Sequence, residues 1–212
     1  MKLLKFFDRR RKRQRKKGAA MEFEAALSAL GPDDICIDCG ANVGTITSRF
    51  AETGCKVHAF EPEPNCFAIL QKKFRAMPNV TLMNAAVGIE NSEVELFFAD
   101  GVDEDFEKLS RASSLYSSKR NIDPTNKIAV RQIDIIAYIR SIGNPISILK
   151  MDIEGAEIPI LDKIMSEDIS LPIRAIFAEL HDNKIPEFAA MGTLLRQRAE
   201  AQRDIRINLD WN

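Results

Sequence analysis

Asp38-Cys39-Gly40-Ala41-Asn42-Val43-Gly44 is the stretch on which the reading of this fold turns. Before it, Ile35–Cys39 is a short apolar run with strand character; after it, residues 45–52 read as helix until Gly54. A glycine turn between strand and helix lets backbone N–H groups and a helix N-terminus approach a ligand closely. A dinucleotide pyrophosphate requires G-x-G-x-x-G, whereas here Asn42 holds the middle position and a third glycine is absent. Asp38 also places negative charge where phosphates would come, which suits a cationic, amino-acid-like ligand instead.

Working outward, residues 56–60 form a second strand that ends in Glu61, 17 residues after Gly44. A carboxylate there can accept both hydroxyls of a ribose. Glu61-Pro62-Glu63-Pro64 then breaks into a helix over 65–76, and 80–84 is a third strand. Strand and helix alternating at this spacing indicate a parallel sheet with crossover helices. Residues 93–98 alternate apolar and polar as a half-exposed strand, while 99–126 show no period, and a loop of that length is functional or mobile. Strand character returns at 128–133, 146–151, 174–180 and 205–209, with helices at 21–30, 134–142, 156–165 and 185–201.

The 212 residues are 45% hydrophobic and 29% charged, which suits one α/β domain and excludes collagen-like, disulfide-scaffold and disordered chains. The net charge of −1 conceals an asymmetry. Residues 1–17 hold ten Lys/Arg and one acid, a net of +9, leaving 20 basic and 30 acidic residues, a net of −10, for the remainder. The expected division is therefore a polybasic, disordered arm over 1–20 and a catalytic domain over 21–212. The arm begins with Leu3, Leu4, Phe6 and Phe7 ahead of its basic run, the reverse of a secretory signal. Three readings fit it: an interfacial anchor on an anionic membrane through residues 1–17, a phosphate-gripping arm, or a solvated tail. No apolar run is long enough to span a bilayer, so a cytoplasmic, membrane-peripheral location is expected. Cys36 and Cys39 have C-x-x-C spacing but lie in a strand with no second ligand pair, so buried thiols are expected rather than a metal site.

The ordered set Asp38–Gly44, Phe60-Glu61-Pro62, Asn84-Ala85-Ala86-Val87-Gly88, Ser113-Ser114-Leu115 and Leu149-Lys150-Met151-Asp152-Ile153-Glu154-Gly155-Ala156-Glu157 resembles the FkbM family of class I S-adenosylmethionine-dependent methyltransferases. The resemblance implies a Rossmann-like α/β fold: a seven-stranded, mainly parallel twisted sheet with helices on both faces. With only 205–209 left as a strand candidate, the closing antiparallel hairpin is expected to be incomplete. It further implies S-adenosylmethionine as donor and methylation of a hydroxyl on a sugar, glycan or small natural-product-like acceptor. Carried onto this sequence, it puts Asp38, Gly40, Asn42 and Gly44 around the methionine part of the donor. Glu61 falls on the ribose, Asn84 and Ala85 beside the adenine, and Ser114 on a loop that closes over the donor.

Methyl transfer to a hydroxyl needs alignment and removal of a proton. Asp152 and Glu154, with Glu157 close by, stand where a strand meets a helix; they can act as base, bind a divalent cation, or only favour the helix N-terminus. His181, in Glu179-Leu180-His181-Asp182 after a strand, is a further candidate base, whereas His58 reads as packed beneath the helices. Two rival classes remain: a non-catalytic binding protein of the same fold, and a nucleic-acid methyltransferase using the arm. The acidic body and the absence of an N/D-P-P-Y/F/W tetrad make nucleic acid the weaker expectation.

Overall fold

The computed structural model of the chain describes residues 2–99, 113–120, 122–166 and 171–211. Most of the stretch 99–126, read from sequence as a long loop, lies outside them or turns out to be strand.

Six strands form one parallel sheet: β1 (Ile35–Cys39), β2 (Lys56–Phe60), β3 (Val80–Met83), β7 (Ile146–Met151), β8 (Ile173–Ala178) and β9 (Arg206–Asn208). Their order is β3-β2-β1-β7-β8-β9, and every pairing is parallel. Among the described residues this sheet thus has six strands rather than the seven that the family resemblance implied, and the closing antiparallel hairpin, expected to be incomplete, is not part of it. Three further strands, β4 (Ala86–Gly88), β5 (Ser92–Ala99) and β6 (Ile122–Asp134), make a separate sheet of order β4-β6-β5. β6 begins six residues before the apolar run at 128–133, because antiparallel pairing with β5 extends it through Ile122 across a register shift at Phe97/Phe98. Pairing partners, not the polar residues themselves, make 122–127 a strand.

Helices cover both faces of the large sheet, and the two-residue period of its strands decides which residue meets which layer. Cys36, Val57, Ile148, Ala175 and Phe177 pack with α1 (Lys2–Ser28) and α2 (Thr45–Glu52). Ile35, Ile37, Leu149, Met151 and Ile176 face the other way, against α4 (Ile135–Ile142), α5 (Glu157–Ser166) and α6 (Ala189–Ala201). α3 (Pro64–Phe74) buries Leu70 and Phe74 against Ala59. Its start is set by Glu63, whose carboxylate accepts from Cys66 N–H at 2.6 Å, and by Pro64 at the first position. Cys36 and Cys39 belong to opposite faces, so they cannot share an ion.

The helix read from Met21 runs from Lys2, so the polybasic stretch continues in helix from the docked segment, where Ala19, Phe23 and Leu27 are buried at four-residue spacing. Among the described residues no helix is long and apolar enough to cross a membrane. The helix read over 185–201 is a 3-10 turn at Pro186–Phe188 followed by α6.

Sheet order reverses between β1 and β7, so the crossovers leave in opposite directions and open a crevice at the carboxyl ends of these strands. Ligands of open α/β sheets bind in such a crevice.

Candidate active site

The crevice floor is built from the glycine turn. Gly40 (φ +77°), Asn42 (φ +51°) and Gly44 (φ +80°) all take left-handed backbone, a conformation that Asn tolerates better than most side chains. Gly40 and Ala41 N–H both donate to Phe60 carbonyl at 3.0 Å, folding the turn onto the end of β2. A Cβ on Gly40 would stand 2.0 Å from the Asp152 carbonyl oxygen, so glycine lets the ends of β1 and β7 close. A Cβ on Gly44 would stand 2.6 Å from the Phe74 ring, so this glycine serves the packing of α3.

Asp38, expected around the methionine part of the donor, is fully buried, and its Oδ1 meets the ammonium of Lys150 as an ion pair without a hydrogen-bond partner among the described residues. Thr47 Oγ1 donates to its Oδ2 at 2.7 Å, and Lys150 Nζ lies 2.9 Å from its Oδ1. Lys150 also donates to the carbonyls of Cys39 and Gly40. Burial alone would lower the pKa of this lysine, but the charges of Asp38 and Asp152 outweigh it and raise the value, so the ammonium is retained. Asp38 shapes the turn from beneath rather than lining the cavity.

Glu61 does face the cavity. Its Oε2 accepts from Asn42 N–H at 2.7 Å and its Oε1 from Glu63 N–H at 2.9 Å, which fixes the carboxylate while leaving lone pairs for a ligand. Burial pushes its pKa up to about 7, against the pull of those two N–H donors. Asn84 Nδ2 donates to the carbonyls of Glu61 and Pro62, so it braces this corner from behind, and Ala85 supplies the wall beside it.

Across the crevice the segment after β7 gathers acids around one imidazole. His181, 1% exposed, has Nε2 3.2 Å from Glu154 Oε2, 3.8 Å from Asp152 Oδ1 and 4.0 Å from Glu179 Oε1. Its Nδ1 lies 3.1 Å from Glu157 Oε1, which also accepts the His181 backbone N–H, while Glu157 Oε2 accepts from Gly155 N–H. An ionised carboxylate only accepts, so Nδ1 carries a proton. Burial would lower the imidazole pKa, but the hydrogen bond to Glu157 and the charges of Glu157, Glu154 and Asp152 raise it overall. Glu154 sits at φ +54°, and Lys119 Nζ at 2.7 Å and Lys184 Nζ at 3.4 Å meet its Oε2. Asp152, Glu154 and His181 can each offer a ligand atom within 4.8 Å of the others, a spacing that would admit a cation. The two lysines already bring positive charge to that point.

Ser114 closes the arrangement. It exchanges two backbone hydrogen bonds with Phe97 of β5, and its Oγ donates to the Glu154 carbonyl at 2.7 Å. The cavity between these groups measures about 520 Å³, a volume suited to a small organic ligand. Gly40, Asn42, Glu61, Ala85, Ser114, Asp152 and Glu154 line it; Asp38, Gly44 and His181 are buried behind the wall, and Asn84 is exposed outside it. His58 is packed away as expected, its Nδ1 2.7 Å from Tyr138 Oη. Sequence reasoning missed Glu179, although it lies two residues from His181, and it missed the pairing role of Lys150, although that lysine was in the quoted motif. Lys119 and Trp211 carried no signal, since tertiary folding alone brings them here.

The family described as the methyltransferase FkbM domain matches residues 38–204. A "31-O-demethyl-FK506 methyltransferase FkbM" of Streptomyces tacrolimicus is 28% identical over 72% of this chain and 67% of its own length. "Methyltransferase 1" of Beauveria bassiana is 27% identical over 80% of this chain and 74% of its own. A "Ribosomal RNA small subunit methyltransferase A" of Thermotoga neapolitana is 42% identical over 53 residues, and this chain spans only 20% of that protein's length. The family match opens at the acid beneath the glycine turn and runs past both the acid–imidazole cluster and α6, so it takes in all of the crevice except the Trp211 wall. On that match, this chain belongs to the FkbM methyltransferase family.

Proposed function

We propose that the protein is an S-adenosylmethionine-dependent O-methyltransferase acting on a hydroxyl of a sugar, glycan or small natural-product-like acceptor. The observation that carries this reading is the opposition, across one cavity, of a hydrogen-bond-fixed carboxylate and a cluster of acids about a buried imidazole. The donor fits the residues present: Glu61 is oriented to accept a ribose diol, Ala85 offers an apolar wall to adenine, and Asp152 complements a sulfonium. When bound, the donor supplies an electrophilic methyl group and loses positive charge at sulfur as the methyl leaves.

The chain's own residues supply alignment and a group to take the proton. Asp152, on the wall, accepts the hydrogen bond of the acceptor hydroxyl and orients its oxygen. Asp152 takes the proton of the reacting oxygen, and His181, held by Glu157 through Nδ1 and with Nε2 3.8 Å and 3.2 Å from Asp152 and Glu154, positions the two acids from behind. The hydrogen bond from Ser114 Oγ to the Glu154 carbonyl holds residues 113–116 against the segment that follows β7.

Calorimetric titration with S-adenosylhomocysteine and S-adenosylmethionine tests the donor assignment. Binding is expected; a folded sample that binds neither compound refutes it. Asp152→Asn is expected to keep S-adenosylhomocysteine affinity within about threefold, since that compound carries no sulfonium, and to lose turnover by about 10²–10⁴-fold, the range of a general acid–base group. Normal turnover would remove Asp152 from the reaction.

A second reading, methylation of RNA, draws on the short match to ribosomal RNA methyltransferases and on the basic start of α1. Labelled methyl transfer to ribosomal RNA that is abolished by deletion of residues 1–17 would favour it. We further propose that residues 1–17 contact anionic membrane, for which loss of liposome co-sedimentation on the same deletion is the check.

A further inference from the structure

The segments on either side of the family match meet each other. From α1, Glu22 accepts a hydrogen bond from Asn208 Nδ2 at 3.0 Å, Arg15 Nε lies 3.6 Å from Asp210 Oδ2, and the Phe23 ring packs 5.1 Å from that of Trp211. An antiparallel bridge between Glu179 and Asp210 ties the tail to the end of β8. Residues before 38 and after 204 thus carry Trp211 onto the cavity wall, next to Glu179 and with Lys150 Nζ 5.9 Å from the indole centroid.

We propose that Trp211 is the platform on which the methyl acceptor lies, and that the site selects a ring with a flat apolar face, a hydroxyl and no negative charge. This rests on reading the cavity as the methyl-transfer site. Position assigns Trp211 to the acceptor. Glu61 follows β2 and Glu179 follows β8, three strand spacings apart in the sheet, or about 14 Å at about 4.8 Å each. A donor whose ribose is at Glu61 therefore leaves the Trp211 end for the second substrate. Chemistry assigns the class. An indole face takes apolar ring surface. Among the described residues the wall around it carries Glu61, Asp152, Glu154 and Glu179 and the ammonium of Lys150, with Asp38 behind Lys150 and with Lys119 and Lys184 meeting Glu154, so five carboxylates stand against three ammonium groups. Acceptor hydroxyls can donate to those carboxylates, whereas an anionic acceptor would give up hydration to meet like charge.

Trp211 is the single tryptophan of the chain, so intrinsic fluorescence reports on this wall directly. The full chain is titrated, with and without S-adenosylhomocysteine, against two series of probes. One is methyl glucopyranoside, its 2-amino counterpart and methyl glucuronide; the other is phenol, tyramine and 4-hydroxyphenylacetate. Emission is expected to respond to the neutral or amine-bearing members of one series and not to its anionic member, and the responding series distinguishes a polyol from a phenol. Calorimetry should show Trp211→Ala weakening that binding about tenfold, with Trp211→Tyr within about threefold of the parent and S-adenosylhomocysteine affinity unchanged in both. No response from either series, a preference for the anionic members, or lost S-adenosylhomocysteine affinity in Trp211→Ala would overturn the proposal. Failure of S-adenosylhomocysteine to bind at all would instead defeat the donor assignment, and the ring titrations would still decide the role of Trp211.

Discussion

Lys150 Nζ lies 2.9 Å from Asp38 Oδ1 and donates to the carbonyl oxygens of Cys39 and Gly40, so a lysine of β7 holds the end of β1 by its side chain. Both residues are buried, at 3% and 0% exposure. Removing one partner of such a pair leaves an uncompensated charge out of water, which costs about 3–5 kcal/mol, whereas replacing both can be nearly neutral. Lys150→Met should therefore lower unfolding free energy by about 3–5 kcal/mol in urea titrations, and Asp38→Leu added to it should restore much of the loss. A single substitution costing under about 1 kcal/mol would show that the pair does not hold the crevice together.

Two glycines separate backbone strain from crowding. Gly40 and Gly143 both have positive φ, at +77° and +68°, but a Cβ at Gly143 would meet nothing within 4 Å while one at Gly40 would stand 2.0 Å from the Asp152 carbonyl oxygen. Gly143→Ala should cost about 1–2 kcal/mol, the left-handed penalty alone. Gly40→Ala should cost clearly more, because backbone must move where β1 and β7 meet. Equal losses for the two in thermal unfolding would deny that this close approach matters.

Much of this architecture is readable from residues alone, for identifiable reasons. The glycine turn, the acid at the end of β2 and the motif over 149–157 are local in sequence, so their spacing survives as a legible pattern. The partner of Asp38 was not legible, because Lys150 lies 112 residues away and becomes a neighbour only through the pairing of β1 with β7. Trp211 and Lys119 reach the site from sequence-distant segments with no motif of their own. The length of β6 depended on β5, and the helical continuation of α1 through residues 2–20 was masked by a charge pattern that reads equally as coil.

The surroundings of His181 set a sign for pH dependence. Glu157, Glu154, Asp152 and Glu179 face the imidazole, and its pKa is raised above the ordinary 6.5 despite burial, which opposes the shift. A group whose folded pKa is raised binds its proton more tightly in the native state. Its stabilisation is complete below about 6.5 and fades as pH climbs through the folded value. The difference in unfolding free energy between the parent and His181→Gln should thus be largest at the acid end of a series from about pH 5.5 to 9 and shrink towards the alkaline end. A difference that stays constant, or grows with pH, would mean that the four acids do not hold a proton on this ring.

Glu61 should show the opposite dependence, in binding. Burial raises its pKa to about 7, so near neutrality the free protein holds a mixture of carboxylic acid and carboxylate. Only the carboxylate offers acceptor lone pairs to both hydroxyls of a diol while still receiving the N–H groups of Asn42 and Glu63. Affinity for S-adenosylhomocysteine should accordingly fall as pH drops through about 7 and level off above it. Glu61→Gln keeps the shape but loses one acceptor oxygen, and should bind about 10–100-fold more weakly at pH 8, in line with the loss of hydrogen bonds to a charged group. The same variant should also lose the pH dependence around 7. If the parent and Glu61→Gln titrate with the same pH profile, the ribose contact lies elsewhere in the crevice, and the carboxylate at the end of β2 is there to fold the glycine turn.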